Sequence, residues 1–317
     1  MGTTYHVKVV TGRLGSVKGL KEKIELRLDE INRSMSPYLP ESEISRFNRF
    51  QQTGVEFPVS KDFYTVMQAA ARVHALSAGA WDGTVNPLVD LWGFGRAGRG
   101  SAPPPADAIA ALLGEVGFDA IEVRKQAALV KHRASVTLDL SSIAKGYGVD
   151  QVAQVVRASG FTEFLVEIGG ETFAAGRRGD GQAWRVGINT PRPDARADEV
   201  YAIVALQDQA LATSGDYRNF FVKDGVRYSH IIDPRTGYPV VNGVVSASIQ
   251  APDCTLADGL ATAVLVMGAE KGLALIERMV GIEGLIVVAE PDGRLEDRFS
   301  TGFRTVPPTP GSGRLRR

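Results

Sequence analysis

Cysteine is nearly missing from this 317-residue chain: Cys254 stands alone, which excludes an intrachain disulfide framework and a thiolate-built zinc site. A charge of one sign is missing too. The 36 basic and 36 acidic side chains cancel, and no Lys/Arg cluster interleaved with aromatics offers a nucleic-acid footprint, so no nucleic-acid partner is expected. No apolar run approaches the roughly 20 residues that a membrane-spanning helix needs. The opening "MGTTYHVKVV" reads as a strand and lacks the charged n-region and apolar h-region of a secretory signal. Two expectations follow, a cytosolic protein or one whose leader has been removed. Histidine is scarce, with four in all, and no internal repeat is found.

What is present suits a folded chain. Hydrophobic residues make up 44% and charged residues 23%, enough to bury a substantial core in one large domain or two modest ones. Val17, Leu20, Ile24, Leu28 and Ile31 recur at three- and four-residue spacing and predict an amphipathic helix over 16–34. "SKDFYTVMQAAARVHALSAG" predicts a second, with Ser60 as its N-cap. The Gly/Pro-rich stretch that follows reads as ordered in its aromatic front half and as a mobile surface loop over 96–105. A short helix near 106–115 comes next. Then "ASVTLDL" predicts a strand, "SSIAKGYGVDQVAQVVRASG" a helix and "FTEFLVEIGG" another strand.

Several strands are expected between 184 and 250, with Asp224-Gly225 marking a hairpin. "CTLADGLATAVLVMG" and "AEKGLALIERM" predict helices, and Pro291-Asp292-Gly293 turns a closing hairpin. The tail from 306 onward reads as disordered. Hairpins with intervening helices favour the α+β class, mixed and antiparallel sheets with packed helices.

Four stretches have the residue types for chemistry. In "LADGLATA", Asp258 and Thr262 are four apart on a helix and share a face, offering two oxygen ligands to a hard cation such as Mg²⁺. The same spacing also suits a solvent-facing Asp and a Thr bonded to its own helix. In "VTLDLSSIAKGYGVD", a strand ends and a helix starts, which leaves N–H groups near Ser141–Ile143 free to meet an anion. Asp139 there can cap the helix or bind a ligand, and Lys145 can meet a phosphate or simply face solvent. The stretch is no Walker motif, which needs Gly-Lys followed by Ser/Thr.

"SHIIDPRTGYPV" gathers turn formers around Asp233-Pro234 and Thr236-Gly237. Its His230 titrates near neutrality and is the one histidine with catalytic surroundings, since His6, His74 and His132 sit in strand, helix and charged-loop contexts. "ATSGDYRN" and "VEIGGE" put glycines where strands end, for tight turns or close approach to a ligand. In "SPYLPESEISRFN", Tyr38 and Phe47 suit ring stacking and core packing equally.

Taken in order, these blocks, together with "WDGTVNPLVDLWGFG", resemble the FAD:protein FMN transferases, the ApbE-like flavin transferase family, over roughly the first 270 residues. The resemblance implies an α+β fold related to the tunnelling folds (T-fold-like), forming a catalytic unit over 1–305 that is either single or two subdomains around an FAD cleft. It implies Mg²⁺-dependent transfer of FMN from FAD to a Thr or Ser hydroxyl of a partner protein, with release of AMP. The implied acceptor carries a Ser/Thr-Gly-Ala-Thr type motif and belongs to a membrane redox complex. Some relatives instead hydrolyse FAD to FMN and AMP, and a flavin carrier without chemistry is a further alternative.

By the same resemblance Met1, Tyr38, Ala80, Trp81, Asp82, Asp139, Lys145 and Ile232 match FAD-contacting positions. Ser142, Asp258, Ala261 and Thr262 match metal-binding positions, Ala261 through its carbonyl since an alanine stands where some members carry an acid, and Ser142 through its hydroxyl or its carbonyl. Some members also have Glu in place of Lys145. His230 is the first candidate for the base that deprotonates the acceptor, ahead of Asp258. The implied location is periplasmic, or membrane-anchored on the periplasmic side.

Overall fold

Seven strands run antiparallel in one sheet, in the order β1 (Tyr5–Val9), β5 (Phe164–Ile168), β6 (Glu171–Ala175), β9 (Gln209–Gly215), β12 (Val244–Ala251), β13 (Glu283–Ala289) and β14 (Leu295–Phe299), the inner strands apolar on both faces. The computed structural model describes residues 2–307 except 13, 14, 96, 97, 99, 101 and 197. Alternation along the strands assigns the faces. Phe164, Ala212 and Ile286 join one core cluster, and their neighbours Leu165, Leu211 and Leu285 join another on the opposite side. A sheet covered on both faces is why these strands read as nearly continuous apolar runs.

Helices cover the first face: α1 (Leu20–Met35), α2 (Glu43–Arg49), α3 (Lys61–Leu76), α6 (Ala144–Ala158), α7 (Cys254–Met267) and α8 (Ala269–Glu277). The two-stranded β7 (Trp184–Asn189) and β8 (Val200–Leu206) cover the second. A three-stranded sheet, β2 (Glu56–Pro58), β4 (Ala128–Lys131) and β3 (Ile121–Arg124), packs beside the helices. Beyond the cleft lies a small aromatic cluster built from α4 (Asn86–Leu91), α5 (Ala106–Leu113) and the hairpin β10 (Phe220–Lys223)–β11 (Val226–Ser229). There Trp92 stacks on Tyr228 at 5.5 Å, and Tyr228 on Phe221 at 5.1 Å. Such pairs add about 0.5–1.5 kcal/mol each beyond area burial.

Helix α7 is apolar except for Thr255, Asp258 and Thr262 because it is buried on nearly every side, lying on β9 and β12 and against α3, α6 and α8. Asp253 caps it by accepting the Leu256 N–H at 2.8 Å. The crossing with α6 is close: a Cβ on Gly146 would collide with the Cys254 carbonyl oxygen and crowd Asp258. Glycine is therefore required where α6 brings Lys145 beside α7.

Most predicted elements are present. Ser60 does cap α3, accepting the Phe63 N–H at 3.2 Å. The first helix begins only at Leu20, because Gly19 takes a left-handed conformation, φ 76°. Asp224 and Gly225 both have positive φ, as a two-residue hairpin turn demands.

One prediction fails. Residues 134–140 alternate as expected, with Val136, Leu138 and Leu140 buried, yet they form no strand. No neighbouring strand pairs with them. Asn48 instead brackets Leu138, donating to its carbonyl at 2.9 Å and accepting its N–H at 2.7 Å, while the Asp139 N–H goes to the Gly83 carbonyl. The expected loop over 96–105 includes residues 96, 97, 99 and 101, and the expected tail includes 308–317; these lie outside the described residues.

Candidate active site

Between the helical body and the aromatic cluster opens a cleft of about 760 Å³. That volume accommodates a nucleotide-sized ligand. Tyr38, Ala80, Trp81, Asp82, Asp139, Ser142, Lys145, His230, Ile232, Asp258 and Thr262 all line it, although they span more than two hundred positions in the chain. Of the expected site residues, Ala261 is fully buried in the core beneath and does not line the cleft, and Met1 lies outside the described residues.

One wall carries the charge. Asp258 is 1% exposed, which rules out the solvent-facing reading. Its Oδ2 accepts the Gly146 N–H at 2.9 Å, and its Oδ1 lies 3.4 Å from the Lys145 ammonium. Lys145 is held more closely by Glu171, whose Oε1 is 2.6 Å away. Burial opposes the ammonium, but Asp258 and Glu171 outweigh it and hold Lys145 above its ordinary value. Glu171 is 3% exposed, and its Oε2 is buried without a hydrogen-bond partner. Burial, then repulsion from Asp258, push its carboxyl up to about 8 against the pull of Lys145. A buried carboxyl held this far from its ordinary value, beside a buried aspartate and a lysine, makes Glu171 a functional-site candidate.

Beside these charges the wall carries several hydroxyls. Thr262 Oγ1 lies 2.9 Å from Ser214 Oγ, so its hydroxyl reaches a neighbouring strand rather than its own helix. Ser142 Oγ accepts the Trp81 indole N–H at 2.9 Å. Two anticipated ligand groups are otherwise engaged. Asp82 accepts from the Thr84 N–H and hydroxyl and from the Phe118 N–H, so its carboxylate is engaged within the protein. Asp139 accepts the Ser141 N–H at 2.8 Å, and Leu140 accepts that of Ile143, so the amide nest expected at 141–143 is largely closed. Tyr38 stands at the rim, 72% exposed, whereas Phe47 is core, edge-on to Phe57 and Phe63.

The opposite wall is "SHIIDPRTGYPV". Its Asp233 accepts from the Arg235 N–H and guanidinium, its carbonyl accepts from Gly237, and Ile232 pairs with Pro239. Asp, Arg and Thr are gathered there to hold the turn, and His230 is the titratable residue that this wall presents to the cleft. Alone among the four histidines it lines the cleft. Burial pulls its imidazole below the ordinary value. His6 pairs with Glu167, His74 with the Trp81 carbonyl and His132 with Glu122.

The oxygen donors fit a hard divalent cation in kind. Among the described residues no three His, Cys, Asp or Glu side chains cluster to hold a metal. A set of one carboxylate, Asp258, with the Thr262 and Ser142 oxygens suits Mg²⁺, which keeps waters and phosphate oxygens in its shell. Glu171, Thr213 and Ser214 also belong to this region and were not singled out in the sequence. The glycine-bearing blocks "ATSGDYRN" and "VEIGGE", which contain them, were the signal in the sequence.

Fold and site together define an α+β enzyme with a cleft for a nucleotide-sized ligand. A family model described as the ApbE family matches residues 1–286. The FAD:protein FMN transferase of Vibrio cholerae is 44% identical over 306 residues, covering 96% of this chain and 90% of that protein. That of Haemophilus influenzae is 40% identical over 316 residues, covering 98% and 90%. Among solved structures, the flavin transferase ApbE from Vibrio cholerae superposes with a TM-score of 0.86 at 41% identity, covering 96% of this chain and 95% of that one. The apo flavinyl transferase ApbE of Pseudomonas stutzeri gives 0.84 at 38%, covering 95% and 92%. The chain belongs to the ApbE family.

Proposed function

We propose that this chain is a Mg²⁺-dependent FAD:protein FMN transferase that moves FMN from FAD to a Thr or Ser hydroxyl of a partner protein and releases AMP. The observation that carries this reading is the meeting of Asp258, Thr262, Lys145 and His230 on one nucleotide-sized cleft. Asp258, with Thr262 and Ser142, would hold Mg²⁺, which supplies charge neutralisation at a pyrophosphate and its leaving group. Lys145, kept charged by its carboxylates, offers the ligand's phosphates a fixed positive group. The low pKa of His230 keeps it neutral near pH 7, ready to take the proton of the acceptor hydroxyl. As that oxygen bonds to the FMN phosphorus, the bond from phosphorus to the AMP oxygen breaks, and AMP leaves with the electron pair.

The acceptor we propose is a subunit of a membrane redox complex bearing a Ser/Thr-Gly-Ala-Thr type motif, and the site of action is the periplasmic face. Fractionation of cells carrying a tagged copy checks the location. The activity is tested by incubating the protein with FAD, Mg²⁺ and an acceptor domain, then weighing the acceptor. A gain of one FMN, lost with EDTA, supports the transferase. An unmodified acceptor with FAD cut to FMN and AMP makes the chain a pyrophosphatase, and intact FAD makes it a flavin binder.

A further inference from the structure

The chemistry above leaves unused an ion pair between a buried aspartate and a half-buried arginine. Asp216, at the end of β9, is 5% exposed. Arg227 on β11 donates to Asp216 Oδ2 at 2.9 Å and to the Asp216 carbonyl oxygen at 2.8 Å. Asp216 Oδ1 and Arg227 Nε are nevertheless buried without hydrogen-bond partners. A pair with one partner buried and its polar atoms half-satisfied adds little to stability, so another role is called for.

Its position supplies one. The pair straps the loop after β9 to β11, and that loop presents the Asn219 carbonyl to His230. This oxygen receives the His230 backbone N–H at 3.0 Å and faces the ring Nδ1 at 3.1 Å. A carbonyl oxygen only accepts, so Nδ1 carries hydrogen and the neutral ring keeps its lone pair on Nε2. Among the described residues Nε2 has no hydrogen-bond partner, and the ring lines the cleft, with Phe94 edge-on to it. Asp216 and Arg227 are also the charged groups whose fields reach the ring, with opposite sign.

We propose that Asp216 and Arg227 are positioning residues for His230: by strapping the loop, they hold the Asn219 carbonyl where it fixes the Nδ1–H tautomer and frees Nε2 to accept the acceptor's proton. This rests on His230 being the base. Nε2 gains the hydroxyl proton while the new oxygen–phosphorus bond forms and AMP departs with the electrons of the old one.

The test uses the full chain with FAD, Mg²⁺ and the acceptor domain, and compares wild type, Arg227→Gln, Arg227→Lys, Asp216→Asn and His230→Ala. Nitrogen-15 NMR of the imidazoles reads the tautomer directly. In wild type His230 should be Nδ1–H. Arg227→Gln should mix the tautomers and lower kcat by about 10- to 100-fold, the usual cost of losing an orienting partner. KM for FAD should hold within about twofold, because a uniform binding contact is not what is lost. Arg227→Lys should recover part of kcat. If Arg227→Gln does not fold, Asp216→Asn carries the same expectation. A pure Nδ1–H signal and unchanged kcat in these variants, with His230→Ala inactive, overturns the strap alone. Full activity in His230→Ala overturns the base and the strap together.

Discussion

The two walls of the cleft use charge in opposite ways. On the helical wall, Lys145, Glu171 and Asp258 are drawn from three elements and meet in contacts of 2.6 and 3.4 Å, and Lys145 and Asp258 line the cleft. On the turn wall, Asp233 and Arg235 are two residues apart and bind each other, and neither lines the cleft with its partner broken away. The turn looks richer in the sequence, with four conspicuous polar residues in one short run. Yet its ion pair is half exposed and local, and such pairs are worth about 0–1 kcal/mol. Density of reactive residue types is thus a poor guide. What separates structural from chemical charge is whether burial imposes a cost that the fold bears without local need.

The contrast can be broken at three places. Asp258→Ala should lower transfer by roughly 10²–10³-fold, the scale for removing one fixed electrostatic group, while FAD binding weakens but remains measurable. Turnover at the wild-type rate would show that the helical wall is no more chemical than the turn.

Glu171 sharpens the comparison through pH. Burial, then Asp258, raise its folded pKa from 4.5 to about 8, so the native state holds a proton that the unfolded chain releases. That contribution is complete below pH 4.5 and is lost as pH climbs through 8. Glu171→Gln should therefore flatten the fall in melting temperature across that window, an effect on the order of a few kcal/mol at most. Thermal scans at several pH values decide it, and an unaltered slope would remove Glu171 as the source.

The smallest effect belongs to the turn. Arg235→Ala should cost less than about 1 kcal/mol and leave the transfer rate within about twofold, measured by denaturant melts and steady-state assay. A loss comparable to that of Asp258→Ala would bring the turn's ion pair into the chemistry.

The α+β class, the helices around residues 20–35, 61–76 and 254–267, the capping Ser60 and the Asp224-Gly225 hairpin were legible in the sequence, because periodicity, caps and positive-φ turns are local properties. So was His230, by elimination among four histidines. Residues 134–140 show where local pattern stops. Their alternation correctly announced three buried side chains, but a strand also needs a partner, and Asn48 took the backbone groups instead. Asp82 shows the same limit, since its carboxylate was claimed by Thr84 and Phe118.

The chain's own order of residues was enough to find the longer helices, the Asp224-Gly225 hairpin and the family the motifs belong to, but not the short helices α2 and α4. Only the folded arrangement decided that Asp258 is buried, that Glu171 joins Lys145, and that Arg227 reaches the loop behind His230. The reason is one of range. Helix and turn preferences act over a few bonds, whereas desolvation and ion pairing depend on groups that meet from positions as far apart as 145 and 258.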